Sequence, residues 1–208
     1  MILYIARHGE TTWNREGRYQ GQRESELTET GREQARALAR ALGDTAVAKV
    51  YSSPLARCMD SAAPLAEARN LGVVADLRLI EIAHGTWEGR LRDDVQADDA
   101  PRFLQWRQTP ELVRFPGGES LAEVFARWRS FVSSLHGEDA VAVLTHDVLV
   151  RLAILDATKR ELSRLWEPRV VNGGYARLDL RAGELRMLDE CIDSHLAGIL
   201  VDTARQAL

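Results

Sequence analysis

Apolar residues fall in two kinds of pattern along this chain. Continuous blocks at residues 2–6 (Ile-Leu-Tyr-Ile-Ala) and 140–144 (Ala-Val-Ala-Val-Leu) read as strands buried on both faces, and residues 47–51 and 73–75 read as shorter strands. Elsewhere apolar positions recur at helical spacing. Thr28 is the expected N-cap of a helix that buries Ala35, Leu38, Ala39 and Leu42. Ser120-Leu121-Ala122-Glu123 is a capping box, opening a helix whose Leu121, Val124, Phe125, Trp128, Val132 and Leu135 share one face. Ser52-Ser53-Pro54 marks another helix start and puts Arg57 on its first turn, while Pro64 should kink or end that helix. A helix from Val148, a short one near residues 161–166, and strands near 175–180 and 184–189 complete the pattern. Residues 11–27 read as a long polar loop. Residues 91–118 lack a strand pattern and carry two weak helical pieces, so we read them as a helical insertion over the sheet. Strands alternating with helices predict an α/β fold with a mostly parallel sheet.

Composition narrows the function. A chain of 208 residues can bury a full core as a single domain, 1–208, with the insertion at about 82–118. The net charge of −4 gives no electrostatic footprint for nucleic acid or an anionic membrane. No apolar run is long enough for a membrane span, and Met1 leads directly into the first strand without a signal-peptide region, so a soluble, cytoplasmic protein is expected. Cys58 and Cys191 have no metal-ligand or CxxC spacing and read as reduced thiols.

The chemistry-bearing residues cluster at strand ends. Arg7-His8-Gly9-Glu10 follows the first strand and Thr145-His146-Asp147 follows the strand at 140–144, which is where open α/β folds bind ligands. With Arg57 on a first helical turn, two histidines and two arginines suit a phosphate dianion attacked by an imidazole nitrogen. Glu81, flanked by Ile80 and Ile82, is the carboxyl group best placed to protonate a departing alkoxide. Glu88 is its rival. Glu10 reads as a partner for an arginine, and His136 as a solvated helix cap. No aspartate cluster, P-loop or HxxE array supplies a metal site, so neither metal nor cofactor is expected.

Together with Tyr19-Gln20-Gly21, Leu27-Thr28-Glu29-Thr30-Gly31, Ser52-Ser53-Pro54-Leu55-Ala56-Arg57, Trp87-Glu88-Gly89 and Pro116-Gly117-Gly118-Glu119-Ser120, these motifs resemble the histidine phosphatase superfamily in its phosphoglycerate mutase-like branch. The resemblance runs in the family's order from residue 1 to about 155. It implies a three-layer sandwich, a mostly parallel central sheet with helices on both faces and a helical lid. It also implies that His8 becomes phosphohistidine, that Arg7, Arg57 and His146 clamp the phosphate, that Glu81 is general acid and base, and that Asn14 and Gln20 can bond phosphate oxygens. Two places depart from the family. Asp147-Val148 stand where small residues usually follow the second histidine, and a carboxylate beside a dianion is repulsive unless it points away or pairs with an arginine. Arg23-Glu24-Ser25-Glu26 replaces an aspartate followed by small residues.

His84 stands where the family commonly has an aromatic residue. The stretch from Glu81 to Trp87, the segment 103–120, the short helix at 161–166 and Cys191-Ile192-Asp193-Ser194-His195-Leu196 are similar to the metal-independent phosphoserine phosphatases. That likeness implies a small phosphorylated metabolite as partner, with phosphoserine the first expectation and His84 and His195 binding its carboxylate, His84 as a cation. The alternatives are a sugar phosphate or other small phosphoester, or a phosphoglycerate mutase. A homodimer is left open.

Overall fold

The computed structural model describes residues 1–137, 139–203 and 206–207. Six strands form one sheet: β1 (Ile2–Arg7), β2 (Val47–Ser52), β3 (Val73–Ala75), β4 (Ala140–Thr145), β5 (Tyr175–Arg181) and β6 (Glu184–Ile192). Their order is β3-β2-β4-β1-β5-β6, with the first four mutually parallel and β5 antiparallel to both its neighbours. The fold is thus α/β with a mixed, mostly parallel sheet.

Alternation along the two central strands sorts residues between two cores. Leu3 and Ile5 of β1, with Val141 and Val143 of β4, join the larger core. Ala6 of β1, with Ala142 and Leu144 of β4, faces the smaller one. The smaller core is completed by α2 (Glu29–Ala41) and α3 (Ala56–Arg69). The larger is completed by α6 (Leu121–Ser133) and α7 (Asp147–Thr158), and Val95, Phe103, Trp106 and Phe115 of the insertion are buried in it too. Helices α4 (Arg92–Asp98) and α5 (Ala100–Gln108) are therefore fixed to the body. Trp87 Nε1 donates to Asp99 at 2.9 Å, and Trp166 Nε1 donates to the Trp106 carbonyl at 2.8 Å.

Helix caps follow the sequence in two places. Thr28 caps α2, and Ser120 with Glu123 forms the capping box of α6. Four local expectations are corrected. The polar segment after β1 contains a one-turn helix, α1 (Thr12–Glu16), closed by a Thr11/Asn14 capping box and a left-handed Gly17. Helix α3 starts two residues after Pro54 with Leu55 as its N-cap, so Ser53 caps nothing, although Arg57 is on the first turn. The same helix continues through Pro64 to Arg69, because Ala62, Leu65 and Ala66 bury one side of it; the backbone bond that Pro64 gives up would have gone to exposed Asp60. The short helix expected near 161–166 is a single 3-10 turn, Leu162–Arg164. No helix among the described residues is long and apolar enough to cross a membrane.

Candidate active site

Parallel pairing of β1 and β4 puts Arg7 opposite Thr145, and the His8 amide donates to the Thr145 carbonyl at 3.0 Å. The two imidazoles that follow these strands lie edge to face, ring centroids 5.3 Å apart. Both are buried. Such a turn requires Gly9, since a Cβ there would come within 2.3 Å of the Gly31 carbonyl oxygen. Arg7, His8, Arg57 and Glu81 line a narrow cavity of about 10 Å³ beside these rings, together with Gln20 and His84. A larger hollow along Arg15, Gly17, Leu91 and Arg92 gathers no such set of groups.

Each polar group has a defined state. His8 Nδ1 lies 2.7 Å from the Gly9 carbonyl, which fixes the proton on Nδ1 and leaves Nε2 with its lone pair. Burial, then Arg57 and Arg7, push the His8 pKa well below its ordinary value, so the ring is neutral at pH 7. His146 is lowered in the same way by burial, Arg57 and His8; its Nε2 meets Ser53 Oγ at 2.8 Å and Cys58 Sγ at 3.4 Å. Arg57 donates to the Gly21 and Arg23 carbonyls, each at 2.7 Å, which holds its guanidinium at the cavity wall. Glu81 is pushed up to about 7, chiefly by burial, while the Ile82 amide at 2.8 Å opposes the shift. A carboxyl group balanced near neutrality can give and take a proton in one turnover. The N-terminus of α7, with His146 as N-cap, also opens at this cavity through Val148.

The other expected residues divide. Gln20 lines the cavity and accepts from Ser25 Oγ at 2.6 Å. Asn14 lies one layer deeper, its amide donating to Gln206 Oε1 at 3.2 Å. His84 lines the cavity too, but not as a cation: burial lowers its pKa to about 3. Its ring lies against Phe115, Tyr19 and Trp106 at 4.8, 5.1 and 5.9 Å, and among the described residues neither ring nitrogen has a hydrogen-bond partner. His195 lies apart from the others. Its Nε2 pairs with the Gly173 carbonyl at 2.9 Å and its ring packs on Tyr175, so it does not reach the cavity wall.

Glu88, the rival acid, is occupied elsewhere. Its Oε1 accepts from the amides of His84 (3.0 Å) and Gln22 (3.2 Å) and sits where a Cβ on Gly21 would be. Glu10 pairs with Arg15 at 2.9 Å and accepts from Thr28 Oγ1 at 2.7 Å, as a partner residue should. Asp147 turns toward cations, 3.2 Å from Arg7 and paired with Arg151, which answers the repulsion its position raised.

Three residues of the site escaped the sequence. Asn172 donates to the His8 carbonyl at 3.3 Å and to Asn14 at 3.2 Å. Gln206 accepts from Arg7 Nη2 at 2.6 Å and donates to Asn172 at 2.8 Å, putting a carbonyl oxygen on the clamp arginine, and Ala207 closes the cavity beside it. Ser53 was read as part of a helix start and of a family motif but given no role at the site, yet it bonds His146 Nε2. The Val171-Asn172-Gly173-Gly174 run, short and polar between apolar segments, was the available signal for the first of these.

Two histidines at adjacent strand ends, a pair of buried arginines and a carboxyl group pushed up to about 7 thus share one cavity, a set of groups suited to an anionic ligand. Comparison with known proteins gives the family: residues 3–191 match the model of the histidine phosphatase superfamily, branch 1, and the chain belongs to that family as a histidine phosphatase. Phosphoserine phosphatase 1 of Hydrogenobacter thermophilus is 36% identical over 203 residues, covering 96% of each chain. Glucosyl-3-phosphoglycerate phosphatase of Mycobacterium tuberculosis is 40% identical over 133 residues, 64% of this chain and 59% of its own. Among solved structures, Bacillus stearothermophilus YhfR superposes with a TM-score of 0.88 at 32% identity, covering 94% of this chain and 98% of that one.

Proposed function

We propose that this protein is a phosphomonoesterase that hydrolyses a small phosphorylated metabolite through phosphohistidine at His8, with phosphoserine the first candidate substrate. The observation that carries the chemistry is the neutral His8 with its proton held on Nδ1, beside a Glu81 carboxyl that titrates near 7. In the first step Nε2 attacks phosphorus, the P–O bond to the alkoxide breaks, and Glu81 gives the alkoxide its proton. Then the Glu81 carboxylate takes a proton from water, whose oxygen attacks phosphorus and releases His8 and inorganic phosphate. Arg7 and Arg57 neutralise the phosphoryl oxygens. An arriving dianion opposes the desolvation and cationic repulsion that keep His146 neutral, so proton uptake at His146 accompanies binding. These cations carry the charge stabilisation, and no divalent metal takes part in turnover.

Phosphoserine is favoured by the full-length likeness to the Hydrogenobacter enzyme and by a cavity with little open space. His84 would meet the part of the substrate beyond the phosphate, as a neutral imidazole whose two ring nitrogens are available for bonding. A sugar phosphate is the second reading, favoured by the shorter match to the glucosyl-3-phosphoglycerate phosphatase. A panel of phosphoserine, sugar phosphates and phosphoglycerates, assayed with chelator present, separates them. Phosphoserine should give the highest kcat/KM. Preference for a sugar phosphate would select the second reading, and retention of the phosphoryl group on phosphoglycerate with a bisphosphoglycerate primer would make the enzyme a mutase.

A further inference from the structure

We propose that Asp147 is the internal counterion of the phosphate clamp: it holds Arg7 in position and opposes the arriving dianion, so that the site binds phosphate without retaining it. This rests on the proposed function, and it adds a positioning residue to it. Asp147 begins α7 and its side chain is almost wholly buried. One carboxylate oxygen lies 3.2 Å from Arg7 Nη1, and the other pairs with Nε of Arg151 one turn further along. Arg151 is itself fixed, donating to the Pro168 carbonyl at 2.5 Å with its guanidinium 5.2 Å from the Trp166 ring. The carboxylate lies beside Nη1, Nη2 of Arg7 donates to Gln206, and Nε has no hydrogen-bond partner among the described residues.

Two buried guanidinium groups share this one carboxylate. Without it, both cations would stay in a desolvated site, and the group best able to neutralise them would be the phosphate itself. The clamp would then hold its product. The same charge acts on the general acid. Glu81 is faced by Arg7 from β1, Arg57 and Cys58 from α3, Arg127 from α6 and Asp147 from α7, with the Ile82 amide on its own loop. Besides burial, Asp147 is the neighbour that favours its protonated form, whereas Arg57 and Arg127 oppose it.

Two substitutions with opposite signs test this. Asp147→Asn keeps the shape and removes the negative charge; Arg151→Gln leaves Asp147 to Arg7 alone and removes a positive one. Calorimetric titration with inorganic phosphate should show affinity raised by about tenfold in Asp147→Asn and lowered in Arg151→Gln. The alkaline limb of the kcat/KM profile should move to lower pH in the first variant and to higher pH in the second. Asp147→Asn should also turn over more slowly, and its melting temperature should recover on adding phosphate by more than that of the wild type. If both variants weaken phosphate binding, or if Asp147→Asn leaves affinity and limb unmoved, Asp147 is a folding contact and the proposal fails. Should Asp147→Asn not fold, a phosphate affinity unchanged or raised in Arg151→Gln overturns it equally. A wild-type protein that binds phosphate yet hydrolyses no phosphomonoester would contradict the proposed function instead, leaving the affinities to judge Asp147.

Discussion

The clamp side of the cavity is polar and cross-braced, and its unpaired atoms among the described residues are cationic (Nε of Arg7 and of Arg57), whereas the side facing residues 82–118 is aromatic and its unpaired atoms belong to neutral groups. At the clamp, Arg57 is held by two carbonyls, Arg7 by Asp147 and Gln206, and His8 by its own loop carbonyl. Such bracing sets geometry before substrate arrives, as stabilising a charged transition state requires. On the opposite side His84 sits among Tyr19, Trp106 and Phe115, and both its ring nitrogens and the Tyr19 hydroxyl lack partners among the described residues. Leaving buried polar atoms unpaired costs stability, a cost that a substrate able to pair with them can recover. The difference suggests a division of labour, with chemistry on one side and substrate choice on the other.

The sharpest break in that comparison is His8→Ala, which should lower kcat/KM by on the order of 10⁴-fold or more on every phosphomonoester, whatever its leaving group. Glu81→Gln comes next. It should cost roughly 10²–10⁴-fold on alkyl phosphates and much less on aryl phosphates, whose phenolate leaves with little help. In the wild type, kcat/KM on an alkyl phosphate should fall as pH rises through about 7, because a raised Glu81 pKa keeps the acid form available only below it. A profile flat from pH 6 to 9 would remove Glu81 from that role.

On the aromatic side, His84→Ala should raise KM for phosphoserine by at least ~10-fold, about 1.4 kcal/mol, while changing hydrolysis of an aryl phosphate little. Since burial holds the ring neutral, the wild-type to variant ratio of KM should not follow an imidazole titration between pH 5.5 and 8. Equal loss on both substrates would reduce His84 to a wall. The smallest effect is expected at Gln206, whose carbonyl occupies Arg7 where a phosphate oxygen would bind. Gln206→Ala should tighten inorganic phosphate binding by about fivefold, as one competing hydrogen bond is lost. Weaker binding would instead make Gln206 a ligand of the substrate.

How far each side was legible in the sequence follows from where its contacts come from. The clamp could be read because its members each end a strand or begin a helix, and a local pattern gives such positions: β1 delivers Arg7-His8, β4 delivers Thr145-His146, and the first turn of α3 carries Arg57. Asn172 and Gln206 could not, since they reach His8 and Arg7 across 164 and 199 residues of chain, and nothing local distinguishes a bridging amide from a surface one. The burial of His84 was not legible for a related reason. Its neighbours Tyr19 and Phe115 come from distant segments, and the burial they impose decides its protonation. His195 was assigned by likeness of a segment, whereas its ring packs onto Tyr175 of β5. Asp147 stood out as a departure, but its pairing required the position of Arg7, which pattern alone does not give.

The central claim is that phosphate passes through His8, and rapid quenching of the enzyme with labelled substrate tests it most directly. With chelator present, the label should appear on residue 8 as an acid-labile adduct that forms and decays at rates matching turnover, and it should be absent in His8→Ala. Label on another residue, no adduct at any quench time with turnover intact, or abolition of turnover by chelator alone would contradict the account.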